Sequence, residues 1–275
     1  MQKQPKVLVG GPVSKNHEYS TEGFIKHLKE LDYNNYNILL IDNSNTDEFY
    51  NKFKDKVNMI RDGSQFTSIK KRMVYCRNLM RKKVLEEGYD YYFDVDQDVL
   101  VPKDALKQLL TSGNSVVSGV YYSYFTHNGQ EIKLPVVYGW FTKEQQEDII
   151  RNKEKLKQVN PKFYNTLEKE NWNFTKIRKQ LTEDEVEGKK LIEIKMCGTG
   201  CILIHRSVLE KIEFRENLEG GFDDVLFCKD VIEKLGLKIY ADTGVKCGHL
   251  VRERPWKWAT DGIEHVPLSK DKIKQ

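Results

Sequence analysis

The sequence predicts an α/β fold in which helices flank a central, mostly parallel β-sheet, with a charged helical insertion in the second half. Short apolar runs alternate with helical patterns through residues 6–122, which is typical of βαβ units. Acidic residues follow two of these runs, at residue 42 and at residues 94–98. Ligands gather at the carboxyl ends of strands in such sheets, so these acids mark a candidate site.

The first half is predicted to contain four strands and three helices. The strands are 6–11, 36–42, 89–95 and 115–122, and the helices are 20–31, 65–87 and 102–113. Phe24, Ile25 and Leu28 give the first helix an apolar stripe. Gly88 ends the second helix, and Pro102 lies near the start of the third.

The second half begins with a change of character. Residues 143–190 are highly charged, with mixed signs and widely spaced apolar residues, which predicts a pair of inserted helices. After Leu191 the pattern predicts two strand pieces around a glycine turn, helices at 207–212 and 223–236, and a strand at 238–244. A chain of 275 residues is long enough to bury one substantial core, so we expect a single domain.

Composition excludes several classes of protein. The 45 basic and 41 acidic residues give a net charge of only +4, which does not indicate a nucleic-acid binder. No stretch approaches the roughly 20 apolar residues of a membrane helix, and the first residues lack a signal-peptide core. Residues 268–275 of the tail 261–275 are mildly basic and could contact an anionic membrane surface weakly, but a solvated tail is favoured because chain termini are commonly disordered.

The five cysteines form an odd and scattered set. Such a set fits a reducing compartment, so we expect a cytoplasmic protein with buried thiols. A zinc site is the less favoured alternative, because its spacings match no common zinc ribbon or finger. Its ligands would be Cys197, Cys201, Cys247 and His249.

The stretch YYFDVDQDVLVP places Asp94, Asp96 and Asp98 at alternate positions. Side chains two apart on a strand share a face about 7 Å from each other, so these carboxylates repel unless something positive lies between them. Hard divalent cations take oxygen ligands, and aspartate is a common supplier. The alternative is a solvated acidic loop.

Three further groups are candidates. Gly198 and Gly200 allow close approach of backbone to a ligand, or simply form a tight turn between strands. Asp223 and Asp224 begin a helix, where carboxylates serve as a cap or as a general base. His249 follows a predicted strand and is a candidate metal ligand.

Taken in order, these motifs resemble the GT-A (Rossmann-like) glycosyltransferases, in particular the inverting enzymes of glycosyltransferase family 2. The resemblance covers most of the chain outside 143–190. The matching segments are VLVGGPV, LLIDNSNTDEF, CRNLM, DQDVLVPKDAL, CGTGCILIHRSVLEKI, GGFDDVLFCKDVIEKLG and KCGHL. Each is degenerate alone, and their shared order is the specific signal.

The resemblance implies a hexosyltransferase-type enzyme that takes a sugar from a UDP-sugar, or alternatively a GDP-sugar, with Mn²⁺ or Mg²⁺. The implied acceptor is a hydroxyl of a saccharide, a lipid-linked molecule or a protein, and the implied reaction is a single displacement with inversion. Residues 1–119 would form the nucleotide-binding half and residues 120–260 the acceptor-binding half.

The resemblance also assigns roles to individual residues. Asp96, Asp98 and His249 would form the metal site, with Asp98 as a direct ligand and Asp96 also near the ribose. Asp224 or Asp223 would deprotonate the acceptor, and Gly198 and Gly200 would lie under the sugar or the acceptor. The nucleotide-binding residues would be Pro12, Val13, Asp42, Asn43 and Arg77.

Departures from the family pattern keep alternatives open. Asp94 and Asp96 form a second D-x-D, but the spacing to Pro102 favours Asp96 and Asp98, and we expect Asp94 to bind Arg77 or Asn78. A retaining enzyme, a nucleotidyltransferase, a non-catalytic sugar-nucleotide-binding protein and a zinc-binding module are the alternative functions. Aromatic residues of the second half suit either sugar stacking or, more commonly, core packing. They are Tyr121, Tyr122, Tyr124, Phe125, Tyr138 and Trp140, with Trp256 and Trp258 expected over the nucleotide.

Overall fold

The structure is a computed structural model, and it describes residues 4–63, 66, 68–127, 130–218 and 221–251. The predictions for Trp256, Trp258 and the 261–275 tail lie outside the described residues. No helix in the described part of the chain is long and apolar enough to cross a membrane.

The strands and helices are as follows. The strands are β1 Val7–Gly10, β2 Pro12–Val13, β3 Tyr36–Ile38, β4 Leu40–Asp42, β5 Met59–Arg61, β6 Tyr91–Val95, β7 Val99–Leu100, β8 Val116–Val120, β9 Tyr122–His127, β10 Gln130–Pro135, β11 Val137–Gly139, β12 Lys179–Gln180, β13 Leu191–Ile194, β14 Met196–Cys197, β15 Cys201–His205, β16 Ile239–Lys246 and β17 Gly248–His249. The α-helices are α1 Glu18–Lys29, α2 Glu48–Phe53, α3 Ile69–Glu86, α4 Ala105–Thr111, α5 Lys143–Arg151, α6 Lys153–Val159, α7 Pro161–Lys169, α8 Arg206–Leu209 and α9 Asp223–Leu235, with 3₁₀-helices at Lys15–His17 and Asp184–Val186.

A seven-stranded sheet organises the molecule, in the order β13-β16-β8-β15-β6-β1-β3. Five of its strands run in one direction, and β13 and β15 run against them. The predicted α/β fold with a mostly parallel sheet is therefore confirmed. The antiparallel β15 lies beside β6, which brings the glycine turn before β15 to the end of β6.

Two apolar clusters cover the two faces of this sheet. Tyr92 of β6 belongs to the cluster that contains α3 and α9 residues, and Phe93 belongs to the cluster that contains α1 and α4 residues. This alternation follows from the two-residue period of a strand. It places Asp94, which has the parity of Tyr92, on the face covered by α3 and α9.

Several predicted boundaries were wrong. The segment 36–42 is two strands, because β3 pairs with β1 of the large sheet whereas β4 lies between β2 and β5 in a separate sheet. The insertion holds three helices instead of two, and the third starts at Pro161, a residue suited to a first helical position. A hairpin of β9 and β10 was not predicted.

The insertion forms a small apolar cluster of its own. Leu167, Phe174 and Ile177 are buried together in it. Helix α5 begins with a capping box, in which Thr142 and Gln145 satisfy each other's backbone donors. The short strand β12 then joins β11 and β14 in a three-stranded sheet, which attaches the insertion to the rest of the fold.

Candidate active site

The site is built around Asp94, which is fully buried near the end of β6. The hydroxyl of Tyr92 donates a hydrogen bond to Asp94 Oδ1 at 2.8 Å. The neighbouring backbone at Gly11 leaves no room for a side chain, because a Cβ there would lie 2.6 Å from the same oxygen. Arg77 Nε donates to Asp94 Oδ2 at 2.8 Å, which confirms the prediction of a basic partner for Asp94.

Arg77 joins three aspartates from separate parts of the chain. Beyond Asp94, its Nη2 donates to Asp96 Oδ1 at 2.8 Å, and its Nη1 donates to both oxygens of Asp223, at 2.9 and 3.1 Å. The arginine is only 2% exposed. Its guanidinium therefore ties α3 to the D-x-D segment and to the start of α9.

Burial and charge act in opposite directions within this cluster. Burial raises the pKa of Asp94, the charge of Arg77 opposes it, and the net result is a pKa of about 7. Burial also raises the pKa of Asp96, again against Arg77. One guanidinium cannot neutralise three carboxylates when all of them are ionised. A further positive charge would therefore stabilise this part of the site.

A tight turn carries Asp96, Gln97 and Asp98 out of the sheet. Val99 N donates to Asp96 O at 2.9 Å, and Asp96 N donates to Gly200 O at 3.2 Å. The buried Gln97 accepts from Ser14 N at 2.7 Å and donates to His17 O at 3.2 Å. Gln97 thereby locks the turn to the loop that follows β2.

Asp98 and His249 face each other across the end of the sheet. Strand β17 pairs with β7, so that His249 lies opposite Val99, the residue after Asp98. His249 Nε2 lies 3.2 Å from Asp98 Oδ2, and His17 Nε2 lies 3.8 Å from the same oxygen. The pairing of β17 with β7 thus brings together two of the three predicted metal ligands.

The protonation states of His249 and Asp98 indicate that a proton or a cation lies between them. His249 Nδ1 lies 2.6 Å from the carbonyl oxygen of Tyr122, which only accepts, so Nδ1 must donate. In a neutral ring Nε2 then carries a lone pair aimed at Asp98, and a proton or a cation must lie between them. Burial lowers the pKa of His249, but Asp98 more than offsets it and the net pKa is raised. Burial raises the pKa of Asp98, but the hydrogen bond and charge of His249 and the charge of His17 bring it below its usual value.

The donor set fits Mn²⁺ or Mg²⁺ in type. A carboxylate oxygen suits both ions, an imidazole nitrogen is a better ligand for Mn²⁺ than for Mg²⁺, and adjacent ligands of an octahedral ion are separated by about 3 Å. Among the residues that the structure describes, no group of three or more histidine, cysteine, aspartate and glutamate side chains has the arrangement of a metal site. Asp96, the third predicted ligand, is bound to Arg77 instead.

Asp223 and Asp224 occupy different environments at the start of α9. Asp223 is buried and bound to Arg77, whereas Asp224 is partly exposed and accepts only the neighbouring Val225 N, at 2.7 Å, among its described contacts. Burial and then the charge of Asp223 raise the pKa of Asp224 to about 6. A reachable carboxylate of raised pKa has the properties of a general base.

The glycine turn before β15 has a packing role. A Cβ on Gly198 would lie 2.0 Å from the hydroxyl of Tyr121, and a Cβ on Gly200 would lie 2.8 Å from the same ring. Tyr121 also accepts a hydrogen bond from Gly200 N at 3.3 Å and meets His249 edge-on, with ring centroids 5.3 Å apart. The turn therefore makes room for Tyr121 beside the site, and contact of its glycines with a sugar stays a prediction.

The predicted nucleoside residues lie together at the ends of β2 and β4. Val13 pairs with Asp42, and Asn43 N donates to Val13 O at 2.9 Å. Asp42 Oδ1 accepts from Ser44, from its backbone N at 2.9 Å and its hydroxyl at 2.5 Å. Burial raises the pKa of Asp42. Asp42 Oδ2 is buried and makes no hydrogen bond with the described residues; Arg61 Nε lies 3.5 Å from it.

Arg72 presents a second unmatched atom beside this segment. Its Nη1 donates to Asn43 O at 3.0 Å and to Asn45 Oδ1 at 2.8 Å. Its Nε is buried and has no hydrogen-bond partner in the described part of the chain. Near the end of β4, the carboxylate oxygen Asp42 Oδ2 and the N–H group of Arg72 Nε therefore both lack a hydrogen-bond partner among the described residues.

Sequence reasoning missed three contributors to the site. His17 follows β2 in a polar loop, Gln97 lies between the two acids of the motif, and Tyr121 was one aromatic residue among many. The spacing of Gln97 within D-x-D was visible, but its partners in the loop after β2 were not.

All five cysteines are buried and free of disulfides, and Cys201 lies against Cys247 while Cys197 lies against Cys228.

No protein-family model and no curated protein sequence matches the chain. Solved structures do match it. The crystal structure of GalNAc-T7 with UDP, GalNAc and Mn²⁺ has a TM-score of 0.59 and 13% identity, covering 92% of this chain and 45% of that chain. The fold is a GT-A fold.

Two further structures match over a similar share of this chain. A197 from STIV has a TM-score of 0.48 and 16% identity, covering 91% of this chain and 88% of that one. S. aureus TarS has a TM-score of 0.49 and 12% identity, covering 91% of this chain and 36% of that one. The chain thus spans less than half the length of the GalNAc-T7 and TarS chains.

Proposed function

We propose that the chain is a metal-dependent glycosyltransferase that moves a sugar from a nucleotide-sugar to an acceptor hydroxyl with inversion. The observation that carries this proposal is the convergence of Asp98, His249 and Asp224 on one end of the sheet, with Arg77 linking Asp96 to the residue before the candidate base. The likeness to GalNAc-T7, a protein crystallised with UDP, GalNAc and Mn²⁺, supports a nucleotide-sugar and a divalent ion as ligands.

Asp98 and His249 would hold the metal ion, with Asp96 beside it. When bound, the ion would supply positive charge to a diphosphate leaving group. Arg77 is saturated by three carboxylates and so acts by positioning Asp96 and Asp223. The sequence predicts that Arg77 contacts the nucleotide directly. In this proposal Arg77 instead acts indirectly, through Asp96 and Asp223.

Asp224 would accept the proton of the acceptor hydroxyl. Asp223 is the weaker candidate because both of its oxygens already bind Arg77 and it is 2% exposed. An adjacent, buried Asp223 instead keeps the pKa of Asp224 raised, which increases its strength as a base near neutral pH. A base on the side of the sugar opposite the leaving group would give a single displacement with inversion.

The unmatched atoms beside β4 favour a UDP-sugar over a GDP-sugar. Asp42 has one oxygen left to accept a hydrogen bond, and Arg72 Nε has one hydrogen left to donate. Uracil offers one N–H donor flanked by carbonyl acceptors, whereas the edge of guanine offers two adjacent donor groups. One acceptor and one donor without hydrogen bonds to the described residues, both beside the backbone of residues 42–43, therefore match uracil in number and type.

The test is a panel of sugar nucleotides assayed for hydrolysis and transfer, with and without Mn²⁺. We expect turnover of a UDP-sugar that depends on Mn²⁺ and is lost in Asp98→Asn. Absence of both turnover and binding across the panel, or unchanged activity of Asp98→Asn, would overturn the proposal. The anomeric configuration of the product, read by NMR, separates inversion from retention.

The same assays separate the other functions. Pyrophosphate release from a nucleoside triphosphate would indicate a nucleotidyltransferase. Binding of UDP-sugars without turnover across many acceptors would indicate a non-catalytic binding protein. Zinc retained through dialysis against a chelator would indicate the zinc-binding module.

A further inference from the structure

The three-stranded sheet β12-β11-β14 lies beside the candidate base. Cys228 Sγ, on α9, donates to Cys197 O of β14 at 3.7 Å, and Asp224 lies one helical turn before Cys228. Tyr138 of β11 pairs with Met196 of β14 and with Gln180 of β12. Paired residues share a face, so Tyr138 and Met196 point to the same side of this sheet.

Arg178 covers Tyr138 on that side. Its guanidinium carbon lies 5.0 Å from the centroid of the Tyr138 ring, and its Nη1 lies 2.9 Å from Met196 Sδ. A thioether sulfur is a weak acceptor, and a guanidinium carries five N–H donors. In the described part of the chain no carboxylate oxygen lies within 4.0 Å of Arg178, so most of its donors are unused.

A second cation lies on the neighbouring aromatic ring. Lys195 Nζ is 4.5 Å from the centroid of Trp140, which is 38% exposed. It donates to the carbonyls of Thr175 at 2.5 Å and Ile177 at 3.0 Å, and it forms no ion pair with a described carboxylate. Burial, together with the charge of Arg178 and against that of Glu233, lowers the pKa of Lys195 to about 8. Arg178 and Lys195 are thus close enough for their charges to interact, and among the described residues neither has a carboxylate oxygen within 4.0 Å.

The charge of Asp224 acts on one tyrosine beside the metal ligands and on another that Arg178 covers. Tyr121 meets His249 edge-on, and after burial the charges of Asp96 and Asp224 raise its pKa. Burial raises the pKa of Tyr138, with Arg178 lowering it and Asp224 raising it. Asp224 therefore lies close to both tyrosines, in agreement with the contact that Cys228 of its helix makes with Cys197 of β14.

We propose that Arg178, assisted by Lys195, binds an anionic group of the acceptor, a phosphate or a carboxylate, and so orients the acceptor hydroxyl toward Asp224. The inference rests on the proposed glycosyltransferase function and names its acceptor class. A guanidinium stacked on an aromatic ring presents its donors in a fixed fork that matches both anions. The donor diphosphate belongs beside Asp98 and His249.

The experiment compares three acceptors that share one sugar ring: glucose, glucose 6-phosphate and glucuronic acid. Transfer is followed as UDP release from a UDP-sugar with saturating Mn²⁺. We expect the wild-type protein to prefer a charged acceptor by tenfold or more in kcat/KM. Preference for glucose 6-phosphate assigns the site to phosphate, and preference for glucuronic acid assigns it to carboxylate.

Arg178→Gln is the main variant, because Lys195 also supports the 175–177 backbone and its loss would disturb the fold. We expect Arg178→Gln to reduce the charged-to-neutral ratio of kcat/KM about tenfold and Arg178→Lys to reduce it less. Arg151→Gln, an exposed arginine at the end of α5, is the matched control and should keep the wild-type ratio. Calorimetric titration of the preferred charged sugar, with UDP and Mn²⁺ present, should show the same loss of affinity without any turnover.

Two results would overturn the inference. One is an unchanged charged-to-neutral ratio in Arg178→Gln, and the other is a rise confined to the KM of the UDP-sugar, which would assign Arg178 to the donor. If the wild-type protein neither binds nor turns over any sugar nucleotide, the proposed function itself fails and takes the inference with it. Donor turnover with no preference for a charged acceptor defeats the inference alone.

Discussion

Arg77 and Asp223 form a buried bidentate pair that joins the middle of α3 to the first residue of α9. The same guanidinium also binds Asp94 and Asp96, so one side chain links the candidate base region to the D-x-D segment. Its removal would leave three carboxylates without their shared cation. The arrangement leads to predictions about stability as well as catalysis.

Replacing Arg77 should destabilise the fold strongly. Breaking a buried ion pair by removing one partner typically costs about 3–5 kcal/mol, and we expect Arg77→Met to reduce the free energy of unfolding by this amount. Denaturant unfolding at pH 7 measures it. Arg151→Met, at an exposed position, should stay within about 0.5 kcal/mol of wild type. Equal stability of the two variants would contradict the role of Arg77.

Asp224→Asn should remove catalysis and spare donor binding. A general base contributes about 10²–10⁴-fold, so we expect kcat to fall within that range while the affinity for UDP with Mn²⁺ stays close to wild type. Steady-state kinetics and calorimetry measure the two quantities. Asp223→Asn should instead lower the unfolding free energy, because it takes a partner from Arg77. A fully active Asp224→Asn would exclude this residue as the base.

The rate should fall at acidic pH through a pKa near 6. The base must be ionised to accept a proton, and burial followed by the charge of Asp223 raises the pKa of Asp224 to about 6. Because the pKa is raised, activity is lost as the pH falls through 6, above the ordinary range of an aspartate. A kcat profile from pH 4.5 to 8.5 at saturating Mn²⁺ and substrates tests this. A fall of kcat centred below pH 5 would disagree with the assignment of Asp224 as the base.

Mn²⁺ affinity should depend on Asp98 and His249. We expect Asp98→Asn and His249→Ala each to weaken Mn²⁺ binding at least tenfold, because each removes one of two facing donors. The signal of free Mn²⁺ in electron paramagnetic resonance, recorded with UDP present, measures the bound fraction. Asp55→Asn, at an exposed acid two residues after the end of α2, should bind Mn²⁺ as wild type does.

The glycine turn can be tested by a double-mutant cycle. Gly198→Ala should cost about 1–3 kcal/mol, because its Cβ would meet the Tyr121 hydroxyl at 2.0 Å. Tyr121→Phe removes that oxygen, so the double variant should recover part of the loss and give a favourable coupling energy. Denaturant unfolding of all four proteins provides the cycle. If the two losses of unfolding free energy are additive, Gly198 has a role other than making room for Tyr121.

Much of the fold was predictable because its signals are local. Alternating apolar runs and helical stripes predict βαβ units from a short window, and the two-residue period puts Asp94, Asp96 and Asp98 on one face of an extended chain. Boundaries failed where tertiary pairing decides them. The segment 36–42 looks like one strand, and only its two different sheet partners divide it.

The sequence by itself determined the α/β class, the acidic strand ends and the positions of the candidate glycines, and it narrowed the partner of Asp94 to Arg77 or Asn78. Only the tertiary structure decided that Asp98 faces His249, that Arg77 is shared by three carboxylates, and that Arg178 lies near the candidate base. The reason is that periodicity reports burial along one element, whereas a site forms from side chains far apart in the chain. Strand order and helix docking bring those side chains together, and no local pattern records them.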